Sequence, residues 1–123
     1  MLRDGRSPVS WEILVTDEYV EWFRGLPLET QDSIIAANAV LAEMGPSLGR
    51  PLVDTIEGSR FSNMKELRVG SIRVLFAFDP WRQAVLLIGG DKRNRWEKWY
   101  KEMIPLADDL FEAHLEECSR KGG

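Results

Sequence analysis

The feature that most restricts the fold is a change of hydrophobic period in the middle of the chain. Between residues 64 and 79 the apolar side chains Leu67, Val69, Ile72, Val74, Phe76 and Phe78 fall into two alternating runs, with Gly70-Ser71 between them. Period two belongs to strands, and two such runs around a two-residue glycine turn form a hairpin with one buried face. A turn over 79–83 leads to a third strand at 84–88. That segment is apolar without interruption, as expected of a strand covered on both faces.

On either side the period is helical. Trp11, Ile13 and Val15 alternate with Glu12 and Leu14 as a short strand. Thr16 then caps a helix whose first turn carries Asp17 and Glu18. Its apolar stripe is Tyr19, Val20 and Phe23. A second helix spans about 28–44, with Ile34, Ala37, Leu41 and Met44 at helical spacing, and Gly45-Pro46 stops it. The two form a helical hairpin. Residues 45–63 read as a long loop with room for a short helix or an extended piece. Helical spacing returns from Arg93, with Trp96, Trp99, Tyr100 and Met103 on one stripe. Pro105 is expected to end or kink this helix after Ile104. Ala107, Leu110, Phe111, His114 and Leu115 make a further amphipathic stretch. The expectation is an α+β domain over 11–118, a small twisted antiparallel sheet with an N-terminal helical hairpin and a C-terminal helix. Flexible tails are expected at 1–10 and 119–123.

Composition narrows the function. Of the 123 residues, 44% are hydrophobic, enough for one core. Cys118 is the only cysteine, which excludes an internal disulfide and a cysteine metal cluster. No apolar run reaches a membrane span and the first residues lack a secretory signal, so a cytoplasmic location is expected. The net charge of −4 hides a segregation: residues 1–59 carry −6, 60–101 carry +6 and 102–123 carry −4. A basic middle in an acidic chain points to a local anion site or to a charged solvent face.

The hairpin sharpens the first of these. With Val69 and Ile72 flanking the turn, Arg68 stands directly opposite Arg73, on the face away from Leu67 and Val74. Like charges opposed across strands are destabilising, and an anion between them removes the cost. The planar guanidinium suits phosphate. Glu66, two residues from Arg68 on the same face and diagonal to Arg73, is the alternative source of neutralisation. Further on, Gly89-Gly90 precede Lys92, Arg93 and Arg95 at a helix start, where basic residues oppose the helix dipole unless an anion is bound. Trp96, Trp99 and Tyr100 either stack on unpaired bases or pack in the core. His114 is the only histidine and is expected to pack or face solvent. No residues show zinc-ligand spacing, and no metal site is expected.

Three stretches, LGRPLVDTIEGSRFSNMKELR at 48–68, IRVLFAFDP at 72–80 and GGDKRNRWEKWYKEMIPLAD at 89–108, together resemble the HigB-like, phage-derived branch of the RelE/ParE toxin superfamily. The resemblance implies the RelE-like microbial RNase toxin fold and a toxin of a type II toxin–antitoxin system that cleaves mRNA, commonly on the ribosome. It implies a cognate antitoxin, such as a small HigA-like helix-turn-helix protein. By position, the family's basic residues fall on Lys65, Arg68, Arg73, Lys92 and Arg93, and its C-terminal tyrosine on Tyr100. The remaining candidate RNA contacts are Arg60, Arg95, Trp96, Lys98 and Lys101. This chain departs from some relatives in offering no histidine for proton transfer and in having Glu66 where a second lysine occurs.

Attack of an RNA 2′-hydroxyl on the adjacent phosphate needs alignment and charge stabilisation, here assigned to Arg68 and Arg73. A base is also needed, for which Lys65 inside a cationic cluster is the candidate. So is an acid, Tyr100 or Lys92. No cofactor or metal is required. A gyrase inhibitor of the ParE kind on the same fold and a non-catalytic nucleic-acid-binding module are the rival readings.

Overall fold

A computed structural model describes residues 10–91, 93 and 96–122, with the side chains of Trp96 and Gly122 excluded. The chain runs β1 (Glu12–Val15), α1 (Asp17–Arg24), α2 (Leu28–Met44), a 3₁₀ turn (Gly45–Ser47), β2 (Val53–Thr55), β3 (Lys65–Val69), β4 (Ile72–Phe78), β5 (Gln83–Asp91) and α3 (Trp96–Gly122).

The five strands form one sheet in the order β1-β5-β4-β3-β2. The expected hairpin has the expected register, with Val69 opposite Ile72 and Arg68 opposite Arg73. Gly70 takes φ 60° at the turn, a left-handed conformation that glycine adopts without strain. β4 continues antiparallel to β5, with a register shift at Leu75/Phe76. The expected α+β sheet is thus present, with one addition and one difference. The segment read as a loop contains β2, antiparallel to β3. β1 lies parallel to β5, so the sheet is mixed at that edge.

Helices cover both faces. Leu67, Ile72, Val74, Phe76, Phe78, Ala84 and Leu86 pack with Tyr19, Ile34, Ala37 and Leu41 of α1 and α2. Leu75, Ala77, Val85 and Leu87, with Met64, pack with Ala107 and Phe111 of α3 on the other face. This double coverage is why β4 is buried along its whole length. Thr16 locks the first helix to the sheet: its Oγ1 accepts from Tyr19 N at 2.9 Å and donates to Leu87 O at 2.6 Å. At the end of α2, Gly45 has φ 59°, and a Cβ there would lie 2.4 Å from Trp11 Nε1, so only glycine fits the stop.

α3 corrects two expectations. It does not end at Ile104, since Pro105 sits inside it, and it runs through 119–122, read as part of a tail. Proline removes one amide donor from the ladder, but Met103, Ile104, Leu106, Ala107, Leu110 and Phe111 all pack on the sheet. That burial outweighs the lost bond. Among the described residues no helix is long and apolar enough to cross a membrane.

Candidate active site

Strand alternation sends Glu66, Arg68 and Arg73 to the face covered by α3, and the first turns of that helix bring Tyr100 over them. Glu66 is the centre of the cluster. Only 2% exposed, it accepts from Arg68 Nε at 2.8 Å through one oxygen and from the Tyr100 hydroxyl through the other. Arg73 Nε stands 4.0 Å from the same carboxylate. The two arginines are therefore opposed as the hairpin predicts, and Glu66 neutralises them internally, the alternative that the sequence leaves open.

Arg68 continues outward. Its Nη2 meets Asp54 Oδ2 at 3.1 Å, and Asp54 Oδ1 meets Arg50 Nε at 3.3 Å. Among the described residues, these three guanidinium groups face two carboxylates, leaving one positive charge. Asp54 is a member that sequence reading misses. It sits on β2, whose three residues are too few to display a period. The Glu66 hydrogen bond, chiefly, raises the Arg68 pKa. The Thr55 backbone amide first, then Arg50 and Arg68, hold Asp54 below the usual carboxylate range.

Arg73 differs from expectation. Expected to be available to an anion, it is buried, and its Nη1 donates to Gly70 O at 2.7 Å and Ile72 O at 2.9 Å. Across β5 its partner is Gly90, where an added Cβ would lie 2.1 Å from Trp99 Nε1. The missing side chain makes room for the Trp99 indole, which packs edge-on against Tyr100 with centroids 5.3 Å apart. Trp99 thus fulfils the core-packing reading. Burial first, and then Glu66, push the Tyr100 phenol well above its ordinary pKa, against the weaker opposing pull of Arg73 and Arg68. Burial and the carboxylate thus outweigh the surrounding positive charge. Tyr100 holds its proton.

Lys65 is not brought to this cluster. It alternates with Glu66 and so shares a face with Leu67, and its Nζ lies 3.3 Å from Thr55 Oγ1. Arg60 is held by Asp109 at 3.2 Å and Glu112 at 2.5 Å on α3. Arg93 folds back onto Asp91, with Nη2 to Oδ2 at 2.5 Å. Lys98 pairs with Glu102 at 3.6 Å on an exposed helix face. Lys92, Arg95 and the Trp96 side chain lie outside the described residues.

Shallow hollows adjoin the cluster. One of about 280 Å³ is lined by Thr55, Ile56, Glu57, Glu66, Tyr100 and Ile104. Tyr100 also borders a second of about 410 Å³, shared with Lys101 and Pro105. Lys101 in turn borders a third with Lys98, about 520 Å³. Tyr100 and Lys101 therefore line an open path along the first turns of α3.

A second polar cluster lies elsewhere. The buried Asp79 carboxylate accepts from Trp81 N at 2.8 Å, Gln83 N at 3.0 Å, Gln83 Nε2 at 2.5 Å and His114 Nε2 at 2.6 Å. Cys118 Sγ is 3.7 Å from His114 Nε2, and the three potential ligand atoms lie within 4.8 Å of one another. Four donors already satisfy the Asp79 oxygens, so the arrangement acts as a clasp from α3 to the β4–β5 turn. His114 has a defined carboxylate partner that its helical stripe does not announce.

Residues 21–112 match the family model described as Phage derived protein Gp49-like (DUF891). The chain is 54% identical over 99 residues to "Putative toxin HigB2" of Mycobacterium tuberculosis, covering 76% of this chain and 49% of that protein. It is 46% identical over 113 residues to "Putative toxin HigB3" of the same organism, covering 90% of this chain and 97% of the relative. The chain thus spans about half the length of the first relative and nearly all of the second. Among solved structures it resembles the archaeal RelE–RelB complex from Pyrococcus horikoshii, with TM-score 0.57, 18% identity, and coverage of 70% of this chain and 98% of that one. It also resembles a mutant of the E. coli toxin RelE in the free state, with TM-score 0.58, 9% identity, and coverage of 76% and 93%. At those identities the structures speak for the fold, and the family rests on the sequence matches. The chain belongs to the Gp49-like family, with the HigB-like proteins, and it has the RelE fold.

Proposed function

We propose that this toxin is an endoribonuclease that cleaves mRNA in the cytoplasm, in association with the ribosome, by metal-independent attack of a 2′-hydroxyl on the adjacent phosphate. The observation that carries the reading is the opposition of Arg68 and Arg73 beneath the Tyr100 hydroxyl, beside an open path. Two guanidinium groups on one face suit the charge that develops on a pentavalent phosphate. A protonated phenol beside them suits the departing 5′ oxygen, whose alkoxide is more basic than a phenolate.

The proposed catalytic set is Arg68, Arg73 and Tyr100, together with Lys92. Lys98 and Lys101 are proposed to follow the RNA backbone along the α3 path. Arg60, Arg93, Arg95 and Trp96 are proposed as further RNA contacts, the first two after release of their carboxylate partners. Lys65 acts through general charge attraction, since its strand face separates it from the arginine pair. A cognate antitoxin, a small HigA-like helix-turn-helix protein, is proposed to restrain the activity.

The test is single-turnover cleavage of mRNA on programmed ribosomes by the full chain, with and without a chelator that spares ribosome integrity. Discrete cuts that survive chelation support the reading. Intact mRNA throughout, or cuts that one added metal restores, overturn it. Co-expression with the adjacent gene tests the antitoxin by complex formation and recovery of growth.

A further inference from the structure

We propose that Glu66 is the resident counter-anion of the Arg68–Arg73 pair, that RNA phosphate displaces it into the adjoining hollow, and that the released carboxylate takes the 2′ proton. The proton step rests on the endoribonuclease reading above; the displacement does not.

Two opposed arginines repel each other across the hairpin, and in the absence of RNA a carboxylate is what holds them together. Glu66 is buried, touches Arg68 at 2.8 Å and lies 4.0 Å from Arg73 Nε, so it occupies the space between the two guanidinium groups. A phosphate cannot bind both arginines while that carboxylate remains. A second anion in the same low-dielectric space would face strong repulsion. The side chain has somewhere to go: Glu66 itself lines the hollow bounded by Thr55, Ile56, Glu57, Tyr100 and Ile104. Three rotatable bonds carry its carboxylate there without moving β3. Displacement leaves it beside the phosphate that replaced it, within reach of the neighbouring ribose. This answers the lack of a histidine base and the separation of Lys65 from the cluster.

The proton balance closes within the site. The 2′-hydroxyl proton passes to Glu66 as the 2′ oxygen bonds to phosphorus. The bond from phosphorus to the 5′ oxygen breaks, and that oxygen receives the Tyr100 proton. The products are a 2′,3′-cyclic phosphate and a 5′-hydroxyl. Glu66, now a carboxylic acid, returns its proton to the Tyr100 phenolate through the hydrogen bond that joins them at rest.

The test is Glu66→Gln in the full chain, with folding checked by thermal unfolding. Two probes report binding: inorganic phosphate, and an RNA oligonucleotide lacking the 2′-hydroxyl at the cleaved position. Without the competing carboxylate, both are expected to bind about tenfold tighter, one charge-assisted contact's worth. Single-turnover cleavage is expected to fall about 100- to 10,000-fold, the contribution of a general base. A purely structural Glu66 gives weaker binding and slower cleavage together, which overturns the proposal, as does cleavage at the wild-type rate. Should the variant not fold, the wild-type protein decides the displacement. The Arg68 Nε–H resonance shifts on titration with inorganic phosphate if Glu66 leaves it, and stays fixed if it does not. A wild-type protein that cuts no RNA refutes the endoribonuclease reading and the proton step with it, and the phosphate titration still decides the displacement.

Discussion

Replacement of Arg73 by alanine weighs its structural role against its chemical one. In the folded chain Arg73 Nη1 donates to two backbone carbonyls, Gly70 O and Ile72 O. A hydrogen bond from a charged donor contributes about 1.5–3 kcal/mol when its acceptor stays dry. Ile72 is buried and its carbonyl loses that much. Gly70 is exposed at the turn, so water replaces its lost partner and the loss there is about 0.5–1 kcal/mol. Relief of the repulsion from Arg68 returns about 0.2–1 kcal/mol. The net expectation is a destabilisation of about 2–3 kcal/mol, which for a domain of this size lowers the melting temperature by about 10 °C. Calorimetry beside single-turnover cleavage, both well below that melting point, separates the two roles. Cleavage should still fall about 100- to 1,000-fold in the folded fraction. A melting temperature within about 2 °C of wild type would refute the backbone-bond account, and a folded variant that cuts at full rate would refute the site.

Other parts of the structure give further tests. His114→Leu should cost about 1–3 kcal/mol in urea unfolding, because Asp79 Oδ2 loses a donor while staying buried; a change below about 0.5 kcal/mol would show the clasp to be idle. The Arg93 hydrogen bond, chiefly, holds the Asp91 pKa down to about 2. A depressed carboxylate pKa contributes stability that is present above the unfolded value near 4 and lost as pH falls through about 2. Arg93→Ala should therefore flatten the stability profile between those pH values, lowering stability above about pH 4 by a modest amount because Arg93 is exposed, and leaving stability below about pH 2 unchanged. Gly90→Ala should destabilise by about 1–3 kcal/mol and slow cleavage, because its Cβ would displace the Trp99 indole beside Tyr100. Gly49→Ala, with open space around the added carbon, should do neither.

The sequence by itself determined the hairpin, its register and the opposition of Arg68 and Arg73. These depend on side-chain period and on a two-residue turn, which are properties of neighbours along the chain. The same alternation puts Lys65 on the Leu67 face, away from the arginine pair. The start of α1 at Thr16 and the stop of α2 at Gly45 were equally local, because a capping hydroxyl and a left-handed glycine act within one turn. The tertiary structure alone decided the rest. β1 pairs in parallel with β5 across some 71 residues, and β2 is a strand because β3 offers it an edge. α3 crosses Pro105 because a whole sheet face supports it on both sides of the proline. Glu66 becomes the anion between two arginines, and Tyr100 keeps its proton, only when the helix closes over the sheet. Desolvation and charge pairing depend on which faces meet, and no spacing along the chain encodes that.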